Sequence, residues 1–254
     1  MRENGVRNIW AAGGNVVNGW LAIANSFSAE VMANEPFDSV TVDIQHGMVD
    51  FQPAVSMLQA ISTTAATPLA RVPWNDPASI MKVLDAGAYG VICPMINTGA
   101  ECERFVGACR YAPAGYRSFG PARGLLYGGP DYAKHANDTI ITFAMIETAE
   151  AVDNLDAIMS VDGLDAIYIG PNDLAISLGN PPLPEPTAPN VIEAVDTILA
   201  AAKRHDVVAG IHCPDGASAK HKFDKGFQFA TIANDARLMA TAANAQIAVA
   251  RGGN

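Results

Sequence analysis

The sequence predicts an α/β fold, a single (β/α)8 TIM barrel covering residues 1–254, and three observations lead there. A length of 254 residues suits one large α/β domain, because single cores stop growing at about 250–300 residues. Half of the residues are hydrophobic and 17% are charged, which excludes a disordered or fibrous chain. Short apolar runs alternate with amphipathic stretches of helical length, and such alternation calls for parallel strands joined by crossover helices.

The apolar runs fall at 20–24, 40–44, 68–72, 90–93, 142–146, 166–169, 207–211 and 229–232. Each is short, rich in β-prone residues and bounded by turn formers, so each reads as a strand. Between them SAEVMANEP, DFQPAVSMLQAISTT, DPASIMKVLDAG, ECERFVGACRYA and EAVDNLDAIMSV place helices. An open doubly wound sheet ranks second, because GGNVVNG has the wrong spacing for a dinucleotide turn and precedes the expected first strand. Two stretches break the rhythm. YAPAGYRSFGPARGLLYGGPDY, rich in Gly, Pro and aromatics, is expected as a lid or pocket wall. The prolines of LGNPPLPEPTAPN favour a stiff, extended excursion before a helix starting near Val191.

Charge and cysteine usage narrow the function. The formal net charge of −10 would repel a polyphosphate backbone, and no basic run offsets it, so nucleic-acid binding is not expected. Apolar stretches are interrupted well before the roughly 18–20 residues of a membrane span, and MRENGVRNIW lacks the apolar block of a signal peptide. The expectation is a cytoplasmic protein with no membrane partner. Cys93, Cys102, Cys109 and Cys213 show neither a CxxC pair nor metal-ligand spacing and read as reduced core residues.

In a barrel of this kind the ligand site forms at the C-terminal ends of the strands. The polar and aromatic residues there are Trp20, then Asp43, Gln45 and His46, then Arg71, Glu147, Asn172, Asp173 and finally His212. A Schiff-base aldolase needs a strand-borne lysine. Here every lysine falls in an expected helix or loop, so carbanion chemistry needs a metal as its electron sink. Glu147 and Asp173, on adjacent strand ends, could give a hard divalent ion two carboxylate oxygens and leave the other positions to water and a chelating substrate.

The strings VDIQHG (42–47), RVPWNDP (71–77), LDAGAYGVICPMINT (84–98), YAPAGYRSFGPAR (111–123), MIETAEAVDNLDAI (145–158) and IYIGPNDLAISLG (167–179) resemble the HpcH/HpaI aldolases, metal-dependent class II enzymes acting on 2-oxo acids. The likeness runs in collinear order over about nine-tenths of the chain. It implies reversible aldol cleavage of a 4-hydroxy-2-oxo acid to pyruvate or hydroxypyruvate plus an aldehyde. It implies that Glu147 and Asp173 ligate Mg²⁺, Mn²⁺ or Co²⁺, that Arg71 faces the keto oxygen, and that His46 moves protons. Main-chain N–H groups around Asn172 and Asp173 would hold the substrate carboxylate, Trp20 would wall the pocket, and Asp43 would orient His46 or the metal waters. Asp85 belongs to the family pattern too, yet LDAG puts it at a helix C-terminus on the far face of its own barrel. It would therefore reach His46 of a neighbouring subunit in a homo-oligomer, a hexamer of paired barrels in similar proteins.

Four positions depart from that pattern. Gln45 replaces the usual acid before the histidine, Met145 replaces a glutamine, and His212 with Cys213 makes the end of the seventh strand more polar. These changes leave the metal and enolate machinery intact and open the donor site to a 2-oxo acid substituted at C3. The rival readings are an oxaloacetate-type lyase or decarboxylase on the same site and a non-catalytic metabolite-binding barrel. Arg117 and Arg123, in the long loop, read either as solvated charges or as ligands for a distal acid group.

Overall fold

Side-chain alternation along each strand sets which residues fill the barrel and which meet the helices around it. The computed structural model describes residues 1–183 and 185–252. The chain opens with α1 (Gly5–Ala11), started by Asn4, whose carboxamide oxygen accepts from the Val6 N–H. It continues through β1 (Val16–Leu21), α2 (Ser26–Asn34), β2 (Ser39–Asp43), α3 (Phe51–Ile61), β3 (Thr67–Arg71), α4 (Pro77–Asp85), β4 (Gly90–Cys93) and α5 (Gly99–Cys109). After α5 come α6 (Ala122–Gly128), α7 (Tyr132–Thr139), β5 (Ile141–Ile146), α8 (Ala149–Asp153), α9 (Leu155–Met159) and β6 (Ala166–Ile169). The last third holds α10 (Pro171–Ser177), α11 (Pro189–Arg204), β7 (Val208–Cys213), α12 (Gly216–Lys225), β8 (Phe229–Ile232) and α13 (Asp235–Ala250). The eight strands are parallel and follow chain order, and β1 closes the barrel on β8 with Val16 beside Phe229 and Asn18 beside Thr231.

Polar residues just beyond the strands start the helices. Asn25 caps α2, Asp76 caps α4 ahead of Pro77, Asp215 caps α12, and Thr98 with Glu101 forms a reciprocal capping box on α5. These side chains satisfy orphan helix N–H groups on the same face of the barrel as the pocket and are spent there.

Two apolar clusters result. The outer one lies between strands and helices, with Val40, Val42, Ala70, Val91, Ile146, Ile167 and Ile169 facing Met57, Leu58, Ile80, Phe105, Ile158 and Ile198. The inner one fills the barrel with Val16, Leu69, Ile92, Ile141, Phe143, Tyr168 and Phe229. Helix α1 plugs the end opposite the pocket: Val6, Ile9 and Trp10 join the inner cluster, and the Trp10 indole N–H donates to the Gln228 carbonyl at 3.0 Å.

The structure corrects three expectations. The first strand is Val16–Leu21 and not 20–24, so GGNVVNG runs into the strand. Its turn-like Asn18 and Gly19 have interior tasks: Asn18 is fully buried and hydrogen-bonded, and Gly19 lies against the Phe37 ring. The loop expected as a lid follows a helix rather than a strand, so it lies at the end of the barrel opposite the pocket. There Arg123 donates to the carbonyls of Ala86 and Leu58, at the C-terminal ends of α4 and α3. Arg117 is not solvated but fully buried, and donates to Asp85 at 2.8 Å and to the Tyr132 hydroxyl at 3.0 Å. Neither arginine is a ligand in this chain's pocket. The excursion after α10 is extended, and α11 begins at Pro189; of that stretch, Pro184 lies outside the described residues.

Candidate active site

A cavity of about 200 Å³ opens at the C-terminal ends of the strands, the size of a small acid rather than of a dinucleotide. It brings together Trp20, Asp43, His46, Arg71, Met145, Glu147, Asn172, Asp173 and His212, nine of the eleven expected site residues. Gln45 does not line it; its main-chain N–H donates to Asp43, and its Oε1 is buried without a partner. Asp85 ends α4 at the far side of the barrel, held by Arg117.

Asp43 and Arg71 occupy paired positions on β2 and β3, and their side chains meet inside the barrel mouth. Arg71 Nε and Nη2 donate to the two carboxylate oxygens of Asp43 at 2.9 and 2.6 Å, a bidentate fork. The same carboxylate accepts from the Trp20 indole N–H at 3.1 Å and from the main-chain N–H groups of Gln45 and His46. Burial opposes ionisation of Asp43, but the Arg71 fork and charge outweigh it and hold the carboxyl below its ordinary range. Asp43 was expected to orient His46 or the metal waters; in the structure its carboxylate holds the His46 backbone, Arg71 and Trp20.

His46 stands at the exposed rim. The turn that presents it needs Gly47, since a Cβ there would overlap the Asp43 carbonyl oxygen.

Glu147, one residue past β5, is buried. Its Oε1 accepts from the Met95 N–H at 2.8 Å, and Met95 holds a left-handed φ of 55° to aim that donor. Its Oε2 nestles against Gly170, where a Cβ would collide with it. Burial, with the Asp173 charge adding to it, pushes the Glu147 carboxyl up to about 7 against the pull of the Met95 N–H and Arg71. Asp173 and Asn172 lie in the first turn of α10 and are exposed to the cavity.

Counting charges identifies what the cavity lacks. Asp43 and Arg71 neutralise each other, which leaves Glu147 and Asp173 facing one space without a counter-charge among the lining residues. A divalent cation matches that deficit, and the two carboxylates fit a hard ion that takes its other ligands from water and substrate. Among the described residues no cluster of three or more His, Cys, Asp or Glu is built to hold a metal alone. None of the lysines lines the cavity, so no Schiff-base nucleophile is available there. The four cysteines are buried and unbridged, and burial pushes the thiols of Cys102, Cys109 and Cys213 up to about 12, far from nucleophilic use.

Several lining residues went unread in the sequence: Ala22, Tyr168, Gly170, Pro171 and Asn234. Tyr168 was detectable, because it shares the inward parity of Ala166 on a strand whose alternate residues, Ile167 and Ile169, face the helices. Asn234 had no such signal, since it caps α13 from a loop.

Fold and cavity together define a barrel with an acidic pocket at the C-terminal ends of its strands, lined by no lysine among the described residues. The profile of the HpcH/HpaI aldolase/citrate lyase family matches residues 18–242, and the chain belongs to that family. It is 43% identical to the hydroxypyruvate/pyruvate aldolase of Rhizorhabdus wittichii over 98% of this chain and 99% of that one. Identity to the 4-hydroxy-2-oxo-heptane-1,7-dioate aldolase of Salmonella dublin is 37%, over 96% of this chain and 93% of the other. The crystal structure of a family member from Burkholderia cenocepacia superposes with a TM-score of 0.91 at 28% identity, covering 97% and 98% of the two chains. The protein is accordingly a lyase of the aldolase type. No helix among the described residues is long and apolar enough to cross a membrane.

Proposed function

We propose that the chain cleaves 4-hydroxy-2-oxo acids reversibly to pyruvate or hydroxypyruvate and an aldehyde, with Glu147 and Asp173 holding a divalent cation, Mg²⁺, Mn²⁺ or Co²⁺. The observation that carries this reading is the uncompensated pair of carboxylates in a small cavity whose one guanidinium is already matched by Asp43. When bound, such a cation supplies a Lewis acid to the keto oxygen of a 2-oxo acid.

The side chains divide the remaining work. In the cleavage direction the C4 hydroxyl gives up its proton, the C3–C4 bond breaks, the aldehyde leaves, and C3 takes a proton back. Arg71 uses Nε and one Nη2 proton on Asp43 and keeps its other N–H donors for the oxygen that gains charge as the enolate forms. Because Asp43 holds the guanidinium before substrate arrives, that donor needs no reorganisation during the reaction. His46, exposed at the rim, moves the proton, since an imidazole carries both a donor and an acceptor nitrogen. Trp20 and Met145 form apolar walls, and the main-chain N–H groups of Asn172 and Asp173 receive the substrate carboxylate.

The working form is a homo-oligomer, a hexamer, in which Asp85 completes a neighbour's site. Two features support this. The Asp85 carboxylate, pinned by buried Arg117, is 30% exposed at the far end of its own barrel. Helix α13 buries only Asp235 and leaves Leu238, Met239, Ile247 and Val249 uncovered, which fits burial against a second copy.

The decisive experiment is chelator treatment followed by metal add-back, read as aldehyde release from a 4-hydroxy-2-oxo acid and as exchange of the pyruvate methyl protons. Both should vanish and return with metal. Full turnover by the stripped protein would overturn the reading, and so would CO₂ release from oxaloacetate without aldol cleavage. A monomer that stays fully active on dilution would remove the role of Asp85.

A further inference from the structure

Beneath the cavity the interior polar side chains form one connected chain that ends on His212. Asn18 Oδ1 accepts from Ser39 Oγ at 2.8 Å and Thr41 Oγ1 at 3.1 Å, so its amide is fixed with Nδ2 toward Thr231 Oγ1 at 2.9 Å. Thr231 Oγ1 lies 2.7 Å from the Tyr168 hydroxyl oxygen, which in turn lies 3.0 Å from His212 Nδ1. Asn18, Ser39, Thr41 and Thr231 are fully buried and Tyr168 nearly so, so proton donors and acceptors must be balanced within the chain itself.

Distance alone does not say which of two hydroxyls donates, but the proton count does. Ser39 and Thr41 spend their protons on Asn18. Thr231 already accepts from Asn18, and the Tyr168 oxygen is the acceptor within its reach. Tyr168 therefore gives its own proton to His212 Nδ1. The opposite direction would strand the Thr231 proton in a dry interior. His212 is left with a bare Nδ1 and a protonated Nε2, and Nε2 has no protein partner among the described residues. The ring is also fixed in angle: it meets the Trp20 indole edge-on at 5.2 Å and 90°, and Trp20 stacks on Tyr168.

We propose that His212, locked by Tyr168 as the neutral Nε2–H tautomer, is a specificity-determining residue that donates a hydrogen bond to a hydroxyl oxygen on C3 of the 2-oxo acid, so that the site favours a hydroxylated donor of the hydroxypyruvate class. This rests on the aldolase reading above. Burial and the nearby Arg71 charge lower the imidazole to about 4, which keeps it neutral and a single-proton donor at working pH. A neutral donor suits a neutral hydroxyl. A distal carboxylate would seek a cation, and among the described residues Arg71 is the one Lys or Arg lining the cavity, already paired with Asp43.

Two readouts test the proposal on the full chain. With ¹⁵N-labelled imidazoles, NMR of the unliganded protein should show His212 protonated at Nε2 and bare at Nδ1; a protonated Nδ1 overturns the lock without reference to activity. In kinetics of the metal-loaded enzyme with acetaldehyde as acceptor, His212→Phe should lower the preference for hydroxypyruvate over pyruvate in kcat/KM about tenfold. Tyr168→Phe should lower it less and mix the two tautomers in the spectrum. An unchanged donor preference in both variants overturns the proposal. A drop confined to the preference for glycolaldehyde over acetaldehyde does so too, because it would place the contact on the acceptor. Should His212→Phe fail to fold, Tyr168→Phe carries both readouts. If the wild type shows no aldol turnover, the aldolase reading fails instead. The His212 contact is then decided by whether hydroxypyruvate, and not pyruvate, shifts the Nε2–H resonance.

Discussion

Around Phe143 and Phe229 the barrel interior is dry and plugged, whereas one turn of side chains higher it is polar, charged and open. In the lower region Trp10 seals the end edge-on against both phenylalanines, whose ring centroids are 4.9 Å apart. In the upper region β1, β2, β3, β6 and β7 present Trp20, Asp43, Arg71, Tyr168 and His212 to a cavity. Strand direction and parity are identical in the two. The difference shows that a barrel separates stability from chemistry along its axis: burial of apolar area supports the closed end, and charges tolerate desolvation at the other only where partners meet them.

The comparison breaks most visibly at the carboxylates. Glu147→Gln combined with Asp173→Asn should lower turnover by at least about 10³, abolish Mn²⁺ binding in calorimetry and leave the circular dichroism spectrum unchanged. A double variant that still binds Mn²⁺ and turns over would show that the upper region draws its cation from other groups. The matching lower-region change is Phe143→Ala. It should cost about 3–5 kcal/mol in denaturant unfolding by leaving a cavity against Phe229 and Trp10. The kcat/KM of the folded fraction should stay within about threefold of the parent, and a larger loss would mean that the two regions are mechanically coupled.

How far these regions were readable in the sequence follows the same division. Eight apolar runs sufficed for the barrel, because parallel strands buried on both faces leave a strong signal. Val16–Leu21 was misplaced because Asn18 carries a turn signature, and its true task is to bond three hydroxyls contributed by β2 and β8. Arg71, Glu147 and Asp173 were legible as charges at strand ends. The Asp43–Arg71 fork was not, since it depends on the register that sets β2 beside β3. Met95 was unreadable for a different reason: its contribution is a backbone N–H in a left-handed turn, which no side-chain type announces. Arg117 in a Gly- and Pro-rich loop looked solvated because the aromatic cage of Tyr111 and Tyr132 that buries it comes from the fold.

A sharper cut separates the polar region into charged and neutral parts. Asp43→Asn should weaken the fork, since an amide offers one oxygen where the carboxylate offered two to the guanidinium. With Arg71 left half-matched, stability should fall by about 2–3 kcal/mol and turnover by about 10². Arg71→Met on top of it should restore part of the stability and none of the activity, which a double-mutant cycle in urea would read. Additive losses would mean that the two side chains act independently.

The smallest predicted effect concerns the neutral part. His212 titrates near 4 in the folded chain and near 6.5 when unfolded, so between those values the unfolded state holds more protons and stability rises with pH. The His212 contribution to the unfolding free energy should therefore decline as pH is lowered from about 6.5 to about 4, by about 3 kcal/mol at most and by less where water reaches the outer edge of the ring, while Glu147, raised to about 7 in the folded chain, contributes an opposing gain over the same range. Arg71 and Arg237 oppose protonation of the ring, Asp43 favours it, and Tyr168 stays protonated throughout because burial raises it. Asp43 itself loses its stabilising charge only at lower pH, since its folded value lies beneath the ordinary one. The parent minus His212→Phe difference, in which the Glu147 contribution cancels, should show the decline between pH 6.5 and 4, and both proteins should keep the steep loss below it. An unaltered profile would mean that the ring gains its proton without penalty, and that the upper region is wetter around His212 than around Trp20 and Tyr168.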